Sequence, residues 1–165
     1  MEKPILEYIV RHPELTPRYA HPTDSGFDLM CAEKKSRRLL PGGTMVVPLG
    51  VVFKIPAGYE IQLRPKSGLA SKGIVTILGT VDCGYRGELA AIVYLHPSAM
   101  EPLQFKFGEK VCQGVIVPVI QARFEKVEQI ETTTERGADG FGSTGRWGAG
   151  RKKWDIIDSN KFKLY

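Results

Sequence analysis

Through most of the chain apolar residues come in short runs, and where the runs are clearest their period is two. Tyr59, Ile61 and Leu63 alternate with Glu60, Gln62 and Arg64, the pattern of a strand with one face buried. Further apolar runs fall at 5–10, 45–55, 74–78, 89–95, 103–107 and 111–120, and Phe124, Val127 and Ile130 predict another short amphipathic run. Turn clusters such as Pro41-Gly42-Gly43, Pro56-Ala57-Gly58 and Gly108-Glu109-Lys110 separate them, since glycine and proline supply the dihedrals that strands cannot. One helical turn is expected over 67–72, opened by Ser67 as a cap and closed by Gly73. The pattern therefore predicts an all-β chain, a distorted jelly-roll or β-barrel with one short helix.

From Thr132 onward the apolar content collapses into TTTERGADGFGSTGRWGAG, which cannot build a core. The expected organisation is one domain over 1–130 and an extended C-terminal arm over 131–165. The arm holds a glycine-rich segment at 136–145 and a basic extension at 146–165. The net charge is +5, but 146–165 carries six basic residues against Asp155 and Asp158. The body is thus nearly neutral, and the high pI reports a local appendage that an acidic partner or nucleic acid would suit. No apolar run approaches the roughly 20 residues of a membrane helix, and the first residues lack a signal peptide's basic start, so a cytoplasmic protein is expected. Cys31, Cys83 and Cys112 form no CxxC pair, and each of His12, His21 and His96 precedes a proline. Reduced thiols and no His/Cys metal site follow.

The segment Arg136–Gly145, RGADGFGSTG, packs four glycines, two hydroxyls, an arginine and a phenylalanine into ten residues. On composition it is either a flexible linker or a lid whose bare amides, Arg136, Ser143 and Thr144 wrap phosphate while Phe141 stacks on a base. It is no Walker A loop, because Ser143 stands where the lysine belongs. A basic residue and a serine in PKSGLA, at the start of the expected helix, offer a second phosphate contact. GTVDCGYRGE reads as a hairpin with Asp82 at its tip, serving the turn or orienting a water beside bound phosphate. In TDSGFDLMCAE, Asp24 and Asp28 are turn acids at a strand start or, for Asp28, an oxygen ligand to magnesium. Gln113 is a polar amide in an apolar strand, either satisfying a neighbour or donating to phosphate. No GxSxG elbow is present, and no cysteine sits beside a histidine in a nucleophile motif.

Taken together, DSGFDLMCAE, RPKSGLASKG, GTVDCGYRGE, GEKVCQGVIVP and RGADGFGSTG resemble the five motifs of the trimeric deoxyuridine triphosphatases over about residues 24–145. The resemblance implies a jelly-roll homotrimer whose active sites are shared between subunits, hydrolysing dUTP to dUMP, the dTMP precursor, and pyrophosphate. It implies that Asp82 positions and activates the water that attacks the α-phosphorus, and that Tyr85 packs on the deoxyribose to exclude a 2′-hydroxyl. Backbone groups of Gly79, Thr80, Val81 and Asp82 would read uracil. Lys66, Ser67, Gly68 and Gln113 would hold the phosphates, Asp28 would anchor Mg2+ through water, and Arg136, Phe141, Gly142, Ser143 and Thr144 would close over the nucleotide. Four departures stand out: Lys66 replaces the usual arginine, giving a point charge without a fork and a grip that is weaker or shared with Arg64; Gly84 stands where a second acid is common; an asparagine common upstream of the third motif is not evident in IVTIL; and about twenty residues follow the last motif. A dCTP deaminase of the same fold and a nucleotide-gated interaction protein are the alternatives.

Overall fold

The computed structural model describes residues 3–35, 37–130 and 134. The chain divides into two units, Met1–Ala122 and Arg123–Tyr165. In the second, Phe124, Val127 and Ile130 form no strand. The lid residues Arg136, Phe141, Gly142, Ser143 and Thr144, and the basic extension, lie outside the described residues.

The first unit is built from β1 (Glu7–Val10), β2 (Phe27–Met30), β3 (Thr44–Pro48), β4 (Val51–Lys54), β5 (Tyr59–Arg64), α1 (Ser67–Ala70), β6 (Ile74–Thr76), β7 (Gly79–Val81), β8 (Ala90–Leu95) and β9 (Lys110–Pro118). Its strands form a two-stranded sheet β1-β4, a four-stranded sheet β2-β9-β5-β7 and a three-stranded sheet β3-β8-β6, with antiparallel pairs throughout. Among the described residues the three sheets do not close on one another. Burial alternates along β3 and β8 and along most of β5, and their inward residues Val47, Ile61, Leu63, Ala91 and Val93 join Leu29, Phe53, Val111 and Cys112 in one core. Each side chain of this size removed from water contributes about 1.5–3 kcal/mol. Thr76 Oγ1, buried, donates to Val111 O at 3.3 Å and ties the three-stranded to the four-stranded sheet. Among the described residues no helix is long and apolar enough to cross a membrane.

Several elements depart from the sequence reading. The run 45–55 is two strands in different sheets, broken at Gly50, whose φ of +65° lies in the left-handed region. The run 103–107 is no strand; Leu103 only bridges Leu39 while Phe105 packs inward. Strand β1 is largely exposed, with Ile9 74% accessible. The expected hairpin around Asp82 is instead a turn between sheets: β7 pairs with β5, whereas β8 pairs with β3 and β6. The helix begins with Lys66 as N-cap and Ser67 as its first residue, so Ser67 does not cap it.

Candidate active site

The four-stranded sheet lines up the candidate phosphate residues at one end. Asp28 on β2 pairs with Gln113 on β9, and Gln113 pairs with Arg64 on β5. Beyond Arg64 the chain bends through Pro65 into Lys66 and α1. The Gln113 amide donates to Pro65 O at 2.9 Å, so it pins this bend with one N–H while the other is available for a ligand. Two glycines make room for the arrangement. A Cβ on Gly26 would lie 2.2 Å from Gln113 Oε1, and one on Gly114 would lie 2.5 Å from the Phe27 ring.

Asp28 is a buried carboxylate, 4% accessible. Lys66 Nζ donates to Oδ1, and Lys110 Nζ stands 2.6 Å from Oδ2. The second pair is ionic by distance but not directed as a hydrogen bond, which leaves Oδ2 otherwise without a partner. Burial pushes this carboxyl up, but the two ammonium groups of Lys110 and Lys66 paired with it outweigh burial and hold the pKa below its ordinary value of 3.8. A depressed folded pKa means the unfolded chain binds more protons in that window. Asp28 therefore contributes its full stabilisation above about pH 4 and loses it as the pH falls through the lower folded value. Unfolding midpoints measured between about pH 2 and 6 are expected to drop steeply at the acid end for the native chain and less steeply for Asp28→Asn.

Lys110 did not stand out in the sequence, and the reason is a register shift between Leu29 and Met30. In a regular strand Lys110, three positions from Gln113, would point to the opposite face. The bulge changes the parity. Consequently Val111 and Cys112 are both fully buried, and the Cys112 thiol is pushed up to about 12 by desolvation. Arg64 is committed elsewhere: its Nη2 donates to Gln62 Oε1 at 2.6 Å, and Gln62 in turn donates to Glu60 at 2.6 Å. Asp24 serves its own turn, accepting the His21 N–H at 2.9 Å.

Asp82 lies in a separate place. A cavity of about 290 Å³ is lined by residues that include Leu63, Gly79, Thr80, Val81, Asp82, Tyr85 and Glu88. Strand β7 is the edge of its sheet, so backbone groups on its outer side are left to pair with a ligand. Asp82 is exposed just past the end of β7. Its carbonyl accepts the Tyr85 N–H at 3.0 Å, closing the turn, while the Arg86 guanidinium holds Cys83 O at 2.6 Å and Tyr85 O at 2.8 Å. Gly79 pairs with Leu63 beside the phosphate row, but Asp82 is three residues further along an extended strand, about 10 Å away. Asp28, Lys66 and Gln113 are not among the residues that line this cavity.

Among the described residues no three His, Cys, Asp or Glu side chains form a metal cluster. A cation here would have to rely mainly on ligand oxygens, with Asp28 Oδ2, ion-paired with Lys110 but outside hydrogen-bond geometry, as the acceptor for a metal-bound water.

The dUTPase family model matches residues 14–145. A protein of Gloeothece citriformis named deoxyuridine 5′-triphosphate nucleotidohydrolase is 42% identical over 134 residues, covering 79% of this chain and 89% of its own length. One of the same name from Bdellovibrio bacteriovorus is 45% identical over 133 residues, covering 79% and 87%. Among solved structures, a single-substitution mutant of the Staphylococcus bacteriophage 80alpha dUTPase with dUpNHpp has a TM-score of 0.72 at 28% identity, covering 86% of this chain and 98% of that one. A dUTPase mutant from phage phi11 of S. aureus, described with a structural Mg(II) ion, has a TM-score of 0.68 at 26% identity over 76% and 97%. The open sheets described above are those of a jelly roll.

Proposed function

The chain belongs to the dUTPase family and is a dUTP diphosphatase that hydrolyses dUTP to dUMP, and from this premise we propose that Asp82 orients and deprotonates the water attacking the α-phosphorus. The observation carrying this assignment is the position of Asp82. It is an exposed carboxyl that lines the cavity together with an edge strand and a tyrosine. Uracil pairs with the free backbone edge of Gly79–Val81, which favours its donor and acceptor pattern over that of cytosine, because a mismatched base leaves buried polar groups unpaired. Tyr85 packs against the sugar. Lys66, Ser67, Gly68 and Gln113 hold the phosphates, and Arg136, Phe141, Gly142, Ser143 and Thr144 close over them, shutting out bulk water.

Enzymes of this family use magnesium. Asp28 would hold it through water, using the oxygen that Lys110 faces, and the bound ion would supply charge neutralisation on the phosphates. The separation of Asp82 from the phosphate row along β7 supports a homotrimer in which one subunit's Asp82 serves the phosphates gripped by another. Three free cysteines, two of them buried, fit a cytoplasmic setting. Pyrophosphate release measured from dUTP, dCTP, dTTP and UTP, with and without chelator, tests the reading. Stoichiometric release is expected from dUTP, with other nucleotides slower by about 10²–10⁴-fold and chelation removing most of the rate. Ammonia liberated from dCTP would show the deaminase alternative instead.

A further inference from the structure

Glu88 is a part-buried carboxylate that the reaction as described does not use. It lines the cavity with Asp82 and Tyr85, yet both of its side-chain oxygens engage a different part of the fold. Oε1 accepts the Gly50 N–H at 3.1 Å, and Oε2 pairs with the Arg11 guanidinium. Arg11 in turn donates its backbone N–H to Gly50 O at 2.9 Å. Three chain segments, the end of β1, the β3–β4 junction and the approach to β8, thus close a ring around the Gly50 peptide.

Gly50 is a fixed point. Its φ is +65°, and a Cβ there would lie 2.4 Å from Leu15 Cδ1 and 2.8 Å from the Ala32 side chain, so the surrounding core dictates where its N–H points. At the other end, the Glu88 carbonyl accepts the Tyr85 hydroxyl at 3.1 Å. The phenol lies so close over Gly87 that a Cβ would stand 2.3 Å from its oxygen, while Tyr85 as a whole remains 47% exposed. Position is thus transmitted from the core through Gly50 and Glu88 to the Tyr85 ring.

We propose that Glu88, braced by Arg11, is a positioning residue for sugar discrimination. Through its side-chain anchorage to Gly50, the Glu88 carbonyl fixes the Tyr85 ring at the height where a 2′-methylene fits and a 2′-hydroxyl collides. Rejection of one extra oxygen depends on displacements well under 1 Å, to which a positioned group is sensitive. A turn tethered only by its backbone lets the ring retreat and admits the ribonucleotide. The inference rests on the assignment of Tyr85 to the deoxyribose made above.

The test compares kcat/KM for dUTP and for UTP in the full-length chain carrying Glu88→Ala or Arg11→Met. Glu88→Ala is expected to lower the dUTP/UTP ratio by about three- to tenfold, the equivalent of one lost hydrogen bond and ion pair, and Arg11→Met by about two- to threefold. In a Tyr85→Phe background, which removes the hydroxyl that reports the tether, Glu88→Ala is expected to change the ratio no further. A purely structural role would reduce the active fraction for both nucleotides alike and leave the ratio unmoved. An unchanged ratio in Glu88→Ala, or in Arg11→Met should the former fail to fold, overturns the inference. If dUTP turnover also survives Asp82→Asn, the catalytic reading fails as well; if Asp82→Asn abolishes turnover while the Glu88→Ala ratio matches the native one, only the tether is wrong.

Discussion

Asp82→Asn is expected to lower kcat for dUTP by roughly 10²–10⁴-fold, the span a general base contributes, with little change in nucleotide affinity. The substitution keeps the shape and polarity of the side chain but removes its capacity to take a proton. Folding is expected to survive it, because Asp82 is exposed and its backbone carbonyl, not its side chain, closes the turn to Tyr85. Rapid-quench measurement of dUMP formation, paired with dUTP binding by calorimetry, separates the two quantities. A variant that turns over dUTP at the native rate would remove Asp82 from the chemistry.

The largest effect on stability is expected at Gly50, where alanine meets two independent obstacles. The left-handed dihedral costs about 1–2 kcal/mol for a residue with a Cβ, and intrusion on Leu15 and Ala32, both buried, adds about 1–3 kcal/mol of overpacking. A fall in melting temperature on the order of 10 °C follows for a unit of this size. Gly58 provides the control. Its φ is +82° but nothing lies within 4 Å of a Cβ, so Gly58→Ala carries the dihedral strain alone and is expected to cost about half as much or less. Equal losses at the two positions would show that packing at Gly50 adds nothing.

These two positions show how far the sequence could be read. Strand β5 was legible because a sheet covered on one face imposes a period of two, which Tyr59–Arg64 carries openly, and β8 because Leu89–Leu95 is a short unbroken apolar run. The motif around Asp82 was legible as a turn bearing an acid, since glycine, aspartate and tyrosine crowd into few residues. What was hidden depends on contacts distant in sequence. Nothing local in Met45–Ile55 says that the chain changes sheets at Gly50. Nothing in GEKVCQG announces the bulge that brings Lys110 onto Asp28. Glu88 reads as an ordinary strand-flanking acid until Arg11 and Gly50 are seen against it. The exposure of β1 is equally invisible, because an apolar run states that a residue resists water, not what covers it. Lys66 shows a different limit. The sequence raised a grip shared with Arg64; in the fold Arg64 is engaged by Gln62, while Lys66 and Lys110 both pair with Asp28.

In the proposed site Asp82 belongs to the cavity at the β7 edge and the phosphate contacts to the row of Asp28, Lys66 and Gln113, which do not line that cavity, so the account requires a site completed by a second subunit. Subunit mixing tests this directly. Asp82→Asn chains and Lys66→Ala/Gln113→Ala chains, each inactive alone, are co-refolded in equal amounts and assayed for pyrophosphate release from dUTP. Random trimers restore one complete site in each mixed assembly, so about one quarter of the native activity is expected. No recovery in trimers verified to contain both chains would mean that each subunit builds its site alone, and the account would be contradicted.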